Sequence, residues 1–279
     1  MENLALPSTD TTDFATDETV WEIGDQRVVN RDCIAALNEL PAESIDVVVT
    51  SPPYNIRLNY LQYRDDLPRE HYLEWMRNVG AALARVMKDD GSFFLNVSGT
   101  NSDPWMPFEL VLALRETFAL QNHIVWVKSI SIDQDTYGHF KPINSERYLN
   151  HNHEHIFHFT KSGETRLDRL AVGVPFKDKS NISRWGHARD RRCAGNVWFI
   201  PYQTVQSNAE KFHHPGTYPV ELPQRCIRLH GRKSATVLDP FLGTGTTLVA
   251  AQMEGCFGIG LELDRSYCQV AVERLKLGI

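Results

Sequence analysis

The chain has 279 residues, 42% hydrophobic and 23% charged, with 29 Lys and Arg against 35 Asp and Glu for a net charge of −6. That length permits one large domain or two small ones around a sizeable core, and the composition excludes a disordered, collagenous or coiled-coil chain. No stretch approaches the ~18 apolar residues of a membrane span, and the amino end lacks the basic start and apolar run of a secretory signal. Five scattered cysteines without a Cys-x-x-Cys pair read as reduced thiols of a cytoplasmic protein.

Residues 1–26 hold seven acids and no Lys or Arg, which leaves residues 27–279 at +1. This Ser/Thr/Asp-rich, aperiodic opening is expected to be an acidic flexible tail over 1–26. A weak apolar run at 27–30 and stronger ones at 45–50, 92–97, 122–127, 155–159, 235–239 and 257–262 predict strands. Tyr72, Trp75, Met76, Val79, Leu83 and Val86 recur at spacings of three and four and predict a helix over 69–88. Similar stretches predict helices near 105–118, 219–230, 245–254 and 264–276. The alternation predicts an α/β domain. Residues 161–195 break it, with nine Lys and Arg against four acids. Within that stretch Lys177, Lys179, Arg184, Trp185, Arg189, Arg191 and Arg192 suit phosphate contacts and base or sugar stacking. An ordinary solvated loop is the alternative.

Two motifs carry chemistry. The strand at 235–239 ends in Asp239 and runs through Pro240 and Phe241 into Gly243-Thr244-Gly245-Thr246 and a helix. Glycines allow tight turning and close backbone approach, and the helix N-terminus offers free N–H groups. Glu262, at the end of the next strand, is placed to accept hydrogen bonds from a ribose diol. No Lys follows the glycines, so this is not a Walker A loop. A purely structural turn would need no Glu262. The second motif is Ser51-Pro52-Pro53-Tyr54, which ends the run at 45–50. The prolines cannot continue a ladder, so the chain turns out at the carboxyl end of the strand, where ligands bind in open α/β sheets. A hydroxyl, a carbonyl and an aromatic ring together suit a planar base with an exocyclic NH₂; a Pro-Pro loop with a packing Tyr is the plainer alternative.

With SPPYN, IVWVKS (124–129), SERYLNHNHEHIFHFTKSG (145–163), GNVWFIPY (195–202), HPGTYP (214–219), DPFLGTGTT (239–247) and GIGLELD (258–264) in this order, the chain resembles the S-adenosylmethionine-dependent DNA amino-methyltransferases in their permuted (β) order. The likeness covers about residues 27–276. It implies a Rossmann-like, seven-stranded, mostly parallel sheet flanked by helices. The catalytic half would be 27–163, a small target-recognition insert 164–195 and the cofactor-binding half 196–279. Asp239, Pro240, Phe241, Gly243, Thr244, Gly245 and Thr246 would surround the methionine part of S-adenosylmethionine, and Glu262 would hold the ribose hydroxyls. Asp32 and Cys33 would contact the adenine, and Tyr218, where Phe is commoner, would line the pocket. Ser51, Pro52, Pro53 and Tyr54 would form the catalytic site. The implied partner is double-stranded DNA, with a homodimer and a cognate restriction endonuclease left open. Ser at position 51 is commoner among cytosine-N4 enzymes and Asp among adenine-N6 enzymes, so the resemblance favours N4 of cytosine over N6 of adenine.

Outside that likeness, a nicotinamide-dependent oxidoreductase would share the glycine loop and Glu262 but leave Ser-Pro-Pro-Tyr without a purpose. A non-catalytic DNA-binding regulator would not need Ser51, Tyr54 and Glu262 intact. No Pro-Cys dipeptide occurs, against methylation at carbon 5 of cytosine. His151, His153, His155 and His158 cluster, but Phe157 stands where H-E-x-x-H needs a second His, and no metal is expected. Trp75, Trp105 and Trp126 fall at apolar positions and are expected in the core; Trp198 fits either core or pocket wall.

Overall fold

The computed structural model describes residues 19–58, 62–132, 135–138, 144–184, 186, 190–201 and 217–279. In chain order the elements are β1 (Thr19–Ile23), β2 (Gln26–Asn30), α1 (Cys33–Glu39), β3 (Ile45–Thr50), α2 (Arg69–Val86), β4 (Met87–Val97), α3 (Met106–Leu114), β5 (Ala119–Ile132) and β6 (Asp135–Gly138). Then follow β7 (His153–Thr160), α4 (Ser180–Arg184), β8 (Val197–Pro201), α5 (Glu221–His230), β9 (Thr236–Asp239), α6 (Thr246–Met253), β10 (Phe257–Glu262) and α7 (Arg265–Leu277).

The unbroken apolar run of β3 is buried at every position, as a central parallel strand requires. Its side chains alternate between two cores. Val48 packs with α1, α2 and α3 residues such as Leu37, Met76 and Leu110. Val47 and Val49 pack on the other face with Leu222, Cys226 and Ala250 of α5 and α6. Each large side chain so buried contributes about 1.5–3 kcal/mol. Helix ends are set locally: the Asp32 carboxylate accepts from Ala35 N at 3.0 Å to open α1, and Asp264 accepts from Ser266 N at 2.8 Å to open α7.

The strands form one sheet in the order β1-β2-β10-β9-β3-β4-β7-β5-β6, with β8 paired to β5. The expected seven strands are its centre, from β2 through β5. Among them only β7 runs antiparallel to its neighbours β4 and β5. Three additions were not legible as strands in the sequence: β1 and β6 as antiparallel edges and β8 as a parallel partner of β5. The first corrects the expected tail. Thr19–Ile23 pair with β2, and Glu22 bonds Arg27 at 2.7 Å, so the sheet already begins inside 1–26; residues 1–18 lie outside the described residues. Trp126 and Trp198 are buried core residues, whereas Trp105 is 69% exposed, against expectation. It immediately precedes α3, before helical periodicity takes hold.

At the border of β3 and β9 the chain departs in opposite directions, from β3 to β4 and from β9 to β10. Such a switch point leaves a crevice at the strands' carboxyl ends.

Candidate active site

A cavity of about 430 Å³ occupies that crevice. Its walls contain Ser51, Pro52, Pro53 and Tyr54 after β3, Asp32 and Cys33 at the start of α1, Pro240, Phe241, Gly243, Thr244 and Thr246 after β9, Glu262 at the end of β10, and Tyr218. The two motifs, nearly two hundred residues apart in the chain, therefore face one space.

On the Glu262 side, Asp239 sits behind the wall. Its carboxylate accepts from Thr50 Oγ1 at 2.6 Å and Phe241 N at 3.1 Å through one oxygen, and from Thr247 Oγ1 at 2.5 Å and Tyr218 OH at 3.3 Å through the other. Burial pushes its pKa up while these donors oppose the shift. Asp239 thus braces the loop and ties β9 to β3. Gly245, also behind the wall, has φ +88°, and a Cβ there would lie 2.7 Å from Ala271 Cβ of α7. Glu262 Oε2 accepts from Gly243 N at 2.8 Å and Oε1 from Asp264 N at 2.8 Å. Each oxygen keeps acceptor capacity beyond that single backbone bond. Burial raises the carboxyl to about 7 despite both N–H groups. Burial also holds the Cys33 thiol up at about 12, so it is a neutral wall rather than a nucleophile.

Sequence reasoning missed Arg274. From α7 its Nη1 donates to Thr244 O at 2.9 Å and Thr246 Oγ1 at 2.9 Å, which clamps the loop from beneath and occupies the Thr246 hydroxyl. It also missed an aromatic wall. Trp75, expected in the core, lines the cavity, with ring centroids 5.5 Å from Tyr63 and 5.4 Å from Phe241. A helical spacing of three and four does not distinguish a core face from a cavity face.

On the Ser51 side, Tyr72 OH donates to Pro53 O at 2.8 Å and fixes the Pro-Pro turn. Beyond it the chain adopts left-handed conformations at Asn55 (φ 56°) and Arg57 (φ 64°). These are held because the Asp65 carboxylate accepts from Asn55 N, Ile56 N and Leu58 N at 2.7–3.0 Å. Ser51 Oγ lies 2.7 Å from Tyr54 OH, and Asn96, Lys128 and Glu154 share the same wall.

None of the basic candidates in 164–195 is among the cavity residues. Lys177, Lys179, Arg184, Arg191 and Arg192 are exposed. Lys179 is paired with Asp190, and Arg191 Nη1 donates to Gly173 O at 3.0 Å. Trp185 and Arg189 lie outside the described residues. No group of three metal-ligating side chains forms among the described residues. His123 Nε2 and His155 Nδ1 instead share a hydrogen bond of 2.8 Å, and His158 is buried against Ser92 and Asn122.

A family model described as DNA methylase, of the N6/N4 type, matches residues 45–273. The chain belongs to the N6/N4 DNA methylase family. It is similar to DNA adenine methyltransferase YhdJ of Escherichia coli, at 27% identity over 90% of this chain and 82% of that one. In fold, the methylase resembles the PvuII DNA methyltransferase described as cytosine-N4-specific, with TM-score 0.68, 21% identity and coverage of 89% and 86%. It also resembles the DNA modification methylase TTHA0409 of Thermus thermophilus complexed with S-adenosyl-L-methionine, with TM-score 0.60, 24% identity and coverage of 89% and 92%. Among the described residues, no helix of the methylase is long and apolar enough to cross a membrane.

Proposed function

We propose that this methylase, of the permuted (β) order, transfers the methyl group of S-adenosylmethionine to N4 of a cytosine flipped out of double-stranded DNA. The carrying observation is that Ser51, Pro52 and Tyr54 share one cavity with Glu262 and the loop at 240–246. The cavity fits the cofactor. Glu262 offers acceptors for two ribose hydroxyls, the Tyr63–Trp75–Phe241 wall and Cys33 suit an adenine, and Pro240, Gly243, Thr244 and Thr246 suit the methionine part. When bound, S-adenosylmethionine supplies an electrophilic sulfonium methyl.

The exocyclic amine is a poor nucleophile because its lone pair is delocalised into the ring. Ser51 Oγ and the Pro52 carbonyl accept its two N–H bonds, favour a pyramidal nitrogen and stabilise the charge that develops there. Tyr54 offers its ring face to the extruded base, which is out of reach inside a duplex. Holding nitrogen and methyl in line supplies much of the rate. The exposed Lys177, Arg184, Arg191 and Arg192, with Lys179, Trp185 and Arg189 of the same insert, contact DNA phosphates and bases. Ser51 favours cytosine; the adenine activity in the name of YhdJ makes N6 of adenine the second reading.

Calorimetric titration tests the site. S-adenosylmethionine binds to wild type, Ser51→Ala and Tyr54→Ala alike, and both variants lose methyl transfer to DNA by about 100-fold or more. Binding of NAD instead of S-adenosylmethionine, or full activity in both variants, contradicts the assignment.

A further inference from the structure

Glu154 stands in the catalytic half of the cavity and takes no part in the chemistry drawn so far. It lies on β7 opposite Trp126 of β5, and its side chain is 12% exposed. Oε1 is 2.6 Å from Lys128 Nζ. Oε2 accepts from Asn96 Nδ2 at 2.7 Å and lies 3.3 Å from Tyr54 OH. Tyr54 OH is in turn 2.7 Å from Ser51 Oγ, so a hydroxyl, a phenol and a carboxylate form a line from the cavity wall.

The protons give that line a direction. An ionised carboxylate only accepts, which fixes the Asn96 amide with its Nδ2 toward Glu154. The same Nδ2 donates to Tyr54 OH at 2.9 Å. The Tyr54 proton can reach Glu154 Oε2 or Asn96 O, each at 3.3 Å, or Ser51 Oγ. The charged oxygen is the strongest of these acceptors. With the Tyr54 proton drawn to Glu154, the 2.7 Å contact is donated by Ser51, whose lone pairs then face the amine. In the opposite sense Ser51 would aim its own proton at the amine lone pair, which has to stay free for the methyl.

We propose that Glu154 is the positioning residue of this centre: it polarises Tyr54 and Ser51 so that Ser51 accepts from the target amine, and it receives through them the proton released on methylation. This rests on the amino-methyl transfer proposed above. The amine lone pair forms the N–C bond as the C–S bond breaks with its electrons passing to sulfur. The cationic nitrogen then gives one proton to Ser51 Oγ, Ser51 passes its own to Tyr54, and Tyr54 passes its own to Glu154. Glu154 finally releases it to water.

Glu154→Gln keeps the size but substitutes a group that donates as well as accepts. In the full-length protein, single-turnover methyl transfer to DNA falls about 100-fold, while S-adenosylmethionine affinity stays at the wild-type value. Tyr54→Phe breaks the same line, and the double variant loses no more than the worse single one. A wild-type rate in Glu154→Gln, or losses that multiply in the double variant, overturns the role. Should Glu154→Gln unfold because Lys128 loses its partner, Lys128→Met with Glu154→Gln removes both charges, and the same loss is expected of that pair; a wild-type rate there is equally fatal. Wild-type protein that methylates no exocyclic amine defeats the underlying function, whereas active wild type with an equally active Glu154→Gln defeats only the role of Glu154.

Discussion

Burial raises the Glu262 carboxyl to about 7, well above the ordinary carboxylate range. Between its ordinary value and about 7 the native state holds a proton that the unfolded chain has released, so its contribution to stability falls as pH rises through that window. Cofactor binding runs the other way. In the proposed binding mode ribose hydroxyls donate to the ionised form, so S-adenosylmethionine should bind more tightly at about pH 8 than at about pH 6. Calorimetry at the two pH values should show this difference, and Glu262→Gln should weaken binding and flatten it. At Gly245, a φ of +88° and Ala271 Cβ at 2.7 Å from an added Cβ make Gly245→Ala destabilising by about 2 kcal/mol, readable in a urea unfolding curve. The places of Glu262 and Ser51 in the cavity wall were legible because each is the last residue before a chemically marked turn. The positions of Arg274 and Glu154 were not. Both reach the site across the sheet or from a helix well removed in the chain, and one sequence carries no sign of such a pairing.

The elements that carry the site are β3, β9 and β10. β3 and β9 were legible because parallel strands buried on both faces leave continuous apolar runs, and β10 because it keeps a short apolar run although Phe257 is exposed. Edge strands β1 and β6 leave no such signature, and β8 alternates buried and exposed positions over only five residues. The loop between β9 and α6 depends on α7 as much as on its own glycines. Arg274→Met removes the bonds to Thr244 and Thr246 and should weaken S-adenosylmethionine binding by about tenfold. The segment 164–195 is proposed to contact DNA instead. Replacing Lys177 and Arg184 by Glu should weaken DNA binding and reduce its salt dependence, while cofactor affinity is unchanged. Equal DNA affinity in a filter-binding titration contradicts the proposed interface.

Across the molecule, the net charge of −6 averages unlike parts. Residues 1–18 alone hold five acids and no Lys or Arg, and they lead into β1 at Thr19. If the segment competes with DNA for the basic surface, its removal up to residue 18 tightens DNA binding at low salt; unchanged affinity makes it passive. The proposed function requires that the Ser51 centre methylate the N4 amine of cytosine. Incubation of the full-length protein with isotopically labelled S-adenosylmethionine and double-stranded genomic DNA, followed by mass spectrometry of the nucleosides, tests it most directly. Labelled N4-methylcytosine is the expected product; labelled N6-methyladenine as the sole product overturns the cytosine assignment.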